Sequence, residues 1–81
     1  MVSLRTSEVF ERAINKADNT VRLQVNKLID KLLVNPELGK PMRYDRKGTR
    51  EVYVGHFRLS YAYDKTSDTL FLLDIYHKDE Q

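Results

Sequence analysis

The hydrophobic pattern of this 81-residue chain changes period once, across Asn35-Pro36-Glu37-Leu38-Gly39, and that change separates a helical part from a strand part. Before the break, Phe10, Ala13, Ile14 and Ala17 fall on one helical face, with Glu11, Arg12 and Lys16 off it. Thr6 and Ser7 stand where an N-cap belongs, and Glu8 complements the positive end of the helix dipole. Asp18 and Asn19 interrupt the pattern and can cap a second helix, whose stripe is Val21, Val25, Leu28, Ile29, Leu32 and Leu33. Arg22, Lys27, Asp30 and Lys31 occupy its opposite side. The residue before a proline is pushed out of helical angles, so Asn35-Pro36 ends this helix. Two helices so closely joined predict an antiparallel hairpin, and their apolar stripes read as core rather than as a functional groove.

After Gly39 the period becomes two. Pro41 to Asp45 reads as a strand and Arg46-Lys47-Gly48 as a turn. Val52 and Val54 then alternate with Glu51 and Tyr53, and Gly55-His56 reads as a tight reversal. Phe57, Leu59, Tyr61 and Tyr63 alternate with Arg58, Ser60 and Ala62. Lys65 to Asp68 forms a second turn, and Leu70 to Tyr76 is apolar almost throughout, as in a strand covered on both faces. Val2 to Arg5 is compatible with a short edge strand. The order predicts an α+β class: an N-terminal two-helix hairpin packed on one face of a curled, three- or four-stranded antiparallel sheet, in one domain spanning residues 1–81. The other sheet face is left open.

Charge is distributed unevenly along this frame. From Lys40 to Lys65 there are seven Lys/Arg against three Asp/Glu, whereas Thr66 to Gln81 has one against four. A basic middle segment carried on an open sheet face suits a polyanion, although an ordinary solvated surface has the same composition. Cysteine is absent, which excludes disulfides and thiolate metal sites as sources of stability. No apolar run approaches the ~20 residues of a membrane helix, and Met1 to Arg5 is too short and polar for a signal peptide. These features predict a soluble, cytoplasmic protein with no membrane partner.

If Phe57, Leu59, Tyr61 and Tyr63 face the helices, Arg58 emerges on the open face, beside the small Ser60 and Ala62. Its planar, permanently charged fork suits phosphate; the competing reading is a surface arginine paired with Glu51 or an aspartate. His77 ends the last strand with the parity of Phe71, Leu73 and Ile75. It can move a proton or stack on a base, or be an incidental histidine. Asp74, a carboxylate within an apolar strand, calls for a partner such as an arginine on the next strand, a structural role. The two histidines lack metal-ligand spacing, the three glycines are isolated, and no nucleophile motif is present.

The order of three segments is similar to that of one toxin superfamily. Leu33 to Lys40 resembles the "L…NP…GK" exit from a second helix, and Gly48-Thr49-Arg50-Glu51 through Gly55-His56-Phe57-Arg58-Leu59-Ser60-Tyr61 resembles a glycine, aromatic-arginine and tyrosine hairpin. Tyr76-His77-Lys78 resembles a closing basic segment. Together they resemble the RelE/ParE superfamily of type II toxin–antitoxin toxins. The resemblance implies a RelE-like fold, a cognate antitoxin partner, and metal- and cofactor-independent cleavage of mRNA on the ribosome, leading to growth arrest. In that chemistry a ribose 2′-hydroxyl attacks the adjacent phosphate. By the same resemblance Arg58 matches the arginine that holds the scissile phosphate, His77 a C-terminal acid or base, and Glu51 is a candidate base. Arg50, Tyr53 and Lys78, with Arg43 and Lys40, are candidates for RNA or phosphate contact. The ParE branch implies a different outcome, non-catalytic binding of DNA gyrase. A degenerate member acting through its antitoxin and a small nucleic-acid-binding module are the remaining readings.

Overall fold

The computed structural model describes residues 2–42 and 48–80. Strand β1 (Ser3–Thr6) leads into helices α1 (Glu8–Lys16) and α2 (Asn19–Val34). A short strand β2 (Lys40–Pro41), then β3 (Arg50–Val54), β4 (Phe57–Asp64) and β5 (Thr69–His77) follow, and a 3-10 turn over Lys78–Glu80 comes last. The expected strand over Pro41–Asp45 is seen only as β2; Arg43 to Asp45 and the Arg46-Lys47 part of the turn lie outside the described residues.

Both helix starts follow from their caps. Ser7 Oγ accepts the Phe10 N–H at 3.0 Å, and Asp18 Oδ1 accepts the Val21 N–H at 2.9 Å. α1 packs on β5 and α2 on β3, so each helix meets the sheet more than it meets the other helix. Phe10 from α1 and Val25 and Leu32 from α2 join Val54, Leu59, Tyr61, Leu70, Leu72 and Ile75 in the core. Each such side chain contributes about 1.5–3 kcal/mol through burial.

Among the described residues the sheet has five strands in the order β1-β5-β4-β3-β2, and it is mixed rather than wholly antiparallel. β1 precedes the helices and pairs parallel to β5, with Ser3 opposite Thr69 and Thr6 opposite Leu72. These four residues are all exposed. β1 therefore carries no apolar alternation from which its neighbour could be read, and its place is set by backbone bonds such as Ser7 N–H to Leu72 O at 3.0 Å.

The β4–β5 ladder contains one irregularity, and it decides which side chains reach the open face. From the 65–68 turn upward the pairs are Asp64 with Thr69, Ala62 with Phe71 and Tyr61 with Leu72. The next pair is Ser60 with Asp74, so Leu73 is an extra residue on β5, a β-bulge. In the unbroken register Ser60 would face Leu73 and Arg58 would face Ile75. The bulge instead puts Ile75 in the core opposite Leu59, and sets Asp74 beside Ser60 and Tyr76 beside Arg58. Ser7 links α1 to this point, since its hydroxyl donates to the Leu73 carbonyl while capping the helix. The bulge also corrects the expected parity of β5: Phe71 lies with Ala62 on the open face, while Ile75 and His77 lie with Leu59 and Phe57.

The Asn35–Lys40 exit from α2 is locked from below by β4. The Tyr61 hydroxyl accepts the Gly39 N–H at 2.7 Å and donates to the Pro36 carbonyl at 2.9 Å. Gly39 is required by this approach, because a Cβ there would lie 2.6 Å from the phenol oxygen. Arg50 completes the lock, donating to the Gly39 carbonyl at 2.8 Å and the Glu37 carbonyl at 3.2 Å. At the β3–β4 reversal Gly55 takes φ +59, the left-handed region that a tight hairpin needs.

Candidate active site

On the sheet face away from the helices, three strands bring Glu51, Tyr53, Arg58, Ser60, Asp74 and Tyr76 together. Cross-strand partners share a face. Tyr53 is opposite Arg58, Arg58 opposite Tyr76, Glu51 opposite Ser60 and Ser60 opposite Asp74. At the centre is Glu51, whose side chain is 8% exposed. Its Oε1 accepts from Arg58 Nη1 at 3.3 Å, and its Oε2 accepts from the Tyr76 hydroxyl. The Arg58 guanidinium also stacks over the Tyr53 ring, 5.2 Å from its centroid. Its Nε is buried without a hydrogen-bond partner.

The ion pair is a single contact at a distance beyond the usual 2.7–3.2 Å range, not a bidentate fork. Arg58 is 22% exposed, so one edge of the guanidinium remains open to a ligand. Beside it lies a cleft of ≈190 Å³ walled by Thr49, Ser60, Leu73, Asp74 and Tyr76. The arrangement supplies a partly exposed cation able to bind an anion, with a buried carboxylate and a phenol hydroxyl in contact with each other behind it.

The remaining expected residues are placed elsewhere. His77 pairs with Phe57, the parity opposite to Arg58, and its ring lies 6.2 Å from the His56 ring and 5.4 Å from the Phe57 ring. Its Nδ1 accepts the Asp79 N–H at 3.3 Å. Asp79 Oδ2 lies 3.5 Å from the same nitrogen. Lys78 follows His77, exposed at the rim. Lys40 is exposed on the edge strand β2, and Arg50 holds the 37–39 backbone. Tyr53 is 66% exposed. Arg43 lies outside the described residues.

Asp74 departs from its expected structural role. The neighbouring arginine binds Glu51 instead, and no side chain among the described residues hydrogen-bonds or ion-pairs with the Asp74 carboxylate. Tyr76 was not anticipated as part of the site, since simple alternation from the turn sends it toward the core. Only the bulge brings it out. Among the described residues no group of three His, Cys, Asp or Glu is arranged to hold a metal ion. No described helix is long and apolar enough to cross a membrane.

Comparison with known proteins agrees with this architecture. Residues 6–81 match the family model of the ParE toxin of the type II toxin–antitoxin system parDE. Among solved structures, the RelBE2 toxin–antitoxin complex from Mycobacterium tuberculosis superposes with a TM-score of 0.86 at 25% identity, covering 95% of this chain and 98% of the other. The intact RelBE complex from E. coli gives 0.82 at 18%, covering 95% and 96%. The YoeB/ParE toxin from Agrobacterium tumefaciens gives 0.84 at 15%, covering 94% and 98%. No curated protein sequence matches. With a family model spanning nearly the whole chain and a RelE-like sheet beneath it, this protein belongs to the ParE toxin family of type II toxin–antitoxin systems, within the RelE/ParE superfamily.

Proposed function

We propose that the toxin is a metal-independent endoribonuclease that cuts mRNA at the Glu51–Arg58–Tyr76 face. The observation that carries this reading is the single, long Arg58–Glu51 contact beside an open cleft. An incoming phosphodiester competes for the Nη groups of Arg58, and as the guanidinium turns to the phosphate the Glu51 carboxylate is freed to accept the 2′-hydroxyl proton. The 2′-oxygen attacks phosphorus, the bond to the 5′-oxygen breaks, and the products are a 2′,3′-cyclic phosphate and a 5′-hydroxyl. The leaving oxygen needs a proton. Tyr76 is the donor already on this face, whereas His77 reaches it only around the strand end. Tyr53, Lys40, Lys78, Arg43 and Arg50 are the candidates for holding RNA around this centre. A cognate antitoxin is the expected partner, in keeping with the relatives crystallised as toxin–antitoxin complexes; the ribosome is the expected place of action.

The test is induction of the wild-type and Arg58→Ala proteins, with new 5′ ends mapped on cellular messages. Loss of one charge-stabilising donor costs ~2.7–4 kcal/mol, or ~100- to 1,000-fold in rate. Comparable cutting by Arg58→Ala would refute the assignment.

A second reading, non-catalytic binding of DNA gyrase, is favoured by one observation: Arg58 is already paired with Glu51, so the face is partly neutralised before any ligand arrives. On that reading the exposed Tyr53 over Arg58 is a protein contact. Toxicity would then accompany DNA breaks and leave transcripts whole.

A further inference from the structure

The cleft beside Arg58 has a chemistry that the cleavage step does not use. Its ≈190 Å³ is smaller than the ~300 Å³ at which pockets for drug-sized ligands begin, and suits one planar heterocycle. It is lined by Thr49, Ser60, Leu73, Asp74 and Tyr76, which bring one aromatic residue, one aliphatic residue, a carboxylate and two hydroxyls to the same cleft. Asp74 is half-buried, and its carboxylate has no hydrogen bond or ion pair to any side chain among the described residues. A carboxylate so placed has its acceptor oxygens available to donors on a ligand that enters the cleft. It also repels phosphate, so the occupant is a base and not the backbone.

The bases differ in what they offer a carboxylate. Ionised Asp is an acceptor only, with two oxygens side by side. On its Watson–Crick edge guanine alone presents two adjacent donors, N1–H and the 2-amino group. Adenine and cytosine set a donor beside an acceptor, and uracil sets one donor between two acceptors. The Ser60 hydroxyl, opposite Asp74 across the ladder, can donate to the guanine 6-oxo group. Splayed single-stranded bases are commonly read in this way, by edge hydrogen bonds and aromatic stacking.

We propose that the Ser60–Asp74–Tyr76 cleft is a guanine-reading subsite for the nucleotide next to the phosphate held by Arg58. As a determinant of cut-site preference, it rests on the nuclease reading above. As a binding site, it stands independently. The bulge at Leu73 is what creates it, since the unbroken register would turn Asp74 and Tyr76 inward.

The experiment has two arms. In the first, the intact protein is titrated with guanosine 5′-monophosphate and with adenosine 5′-monophosphate, followed by amide NMR. The guanine nucleotide should shift the Ser60, Leu73 and Asp74 amides and bind roughly 10-fold tighter or more, the discrimination expected of a bidentate base contact. Asp74→Asn, nearly isosteric, should abolish that advantage. Asp74→Ala, checked for a native amide spectrum, should do the same. Equal affinity for the two nucleotides, or a preference surviving both substitutions, would overturn the site. In the second arm, 5′ ends from induced cells should show guanine enriched at one fixed position beside the cut in wild type and not in Asp74→Asn. Cutting without guanine enrichment would overturn the subsite while the nuclease reading stands. Guanine preference in the titration with no RNA cutting would do the reverse.

Discussion

Replacing Tyr61 with phenylalanine tests the lock beneath the α2 exit. The residue is fully buried, and its hydroxyl both accepts the Gly39 N–H and donates to the Pro36 carbonyl. Tyr61→Phe keeps the ring and orphans two backbone groups. Gly39 is buried, so its N–H bears the larger cost, while the half-buried Pro36 carbonyl can be partly rehydrated. At about 1–3 kcal/mol per orphaned group, weighted this way, the loss is about 2–4 kcal/mol. A chain of 81 residues has a total stability of roughly 4–12 kcal/mol, so the lock is a sizeable share of it. The shift in Tm is then on the order of 10–25 °C. Urea and thermal unfolding followed by circular dichroism measure it. Tyr63→Phe is the control, because that half-buried hydroxyl donates to one half-buried carboxylate, Asp68, and its loss orphans no backbone group, so it should cost about 1–2 kcal/mol. A Tyr61→Phe protein within ~0.5 kcal/mol of wild type, or no less stable than Tyr63→Phe, would refute the reasoning.

Ser7→Ala removes the cap of α1 together with its bond to the bulge, and should cost about 1–2 kcal/mol in urea unfolding while broadening the Leu73 and Asp74 amide signals. Burial holds the Tyr61 phenol above its usual range, and the bond to Asp68 moves Tyr63 the same way. The unfolded chain therefore loses these protons first. The contribution of these two phenols should be constant below about pH 10 and fall as pH rises beyond it, and Tyr61→Phe should flatten part of that fall. Lys65, hydrogen-bonded at 2.9 Å, lowers the Glu37 carboxyl, so whatever this exposed pair contributes should fade as pH drops through the carboxylate range.

The helices and the β3–β4 hairpin were legible because each buries one face, and periods of 3.6 and two survive in the residues that do so. Leu59 and Tyr61, both fully buried, carry that signal on β4. Arg58 was placed on the open face by the same alternation. Strand β1 offered no such signal, since all four of its residues are exposed and its pairing with β5 is made by the backbone. Sequence proximity could not suggest that parallel pairing either, because the paired residues lie 66 positions apart, Ser3 with Thr69 and Thr6 with Leu72. The bulge was hidden for another reason. Apart from Asp74, Leu70 to Tyr76 is apolar on both parities, so a one-residue shift barely changes the pattern while exchanging Ile75 for Tyr76 beside Arg58. Straight alternation therefore groups His77 with Phe71, and it gives no sign that the arginine on the next strand binds Glu51 rather than Asp74. The "NP…GK" exit was recognised as a pattern, but its cause, the Tyr61 hydroxyl, lies across the fold.

The central claim is that the open face acts on RNA, and the chemistry of the cut ends tests it most directly. RNA isolated after induction of the wild-type toxin should carry new 2′,3′-cyclic phosphate and 5′-hydroxyl termini, absent when Arg58→Ala is induced to the same level. Growth arrest with unbroken transcripts and accumulating double-strand DNA breaks would contradict the nuclease account and favour gyrase as the target.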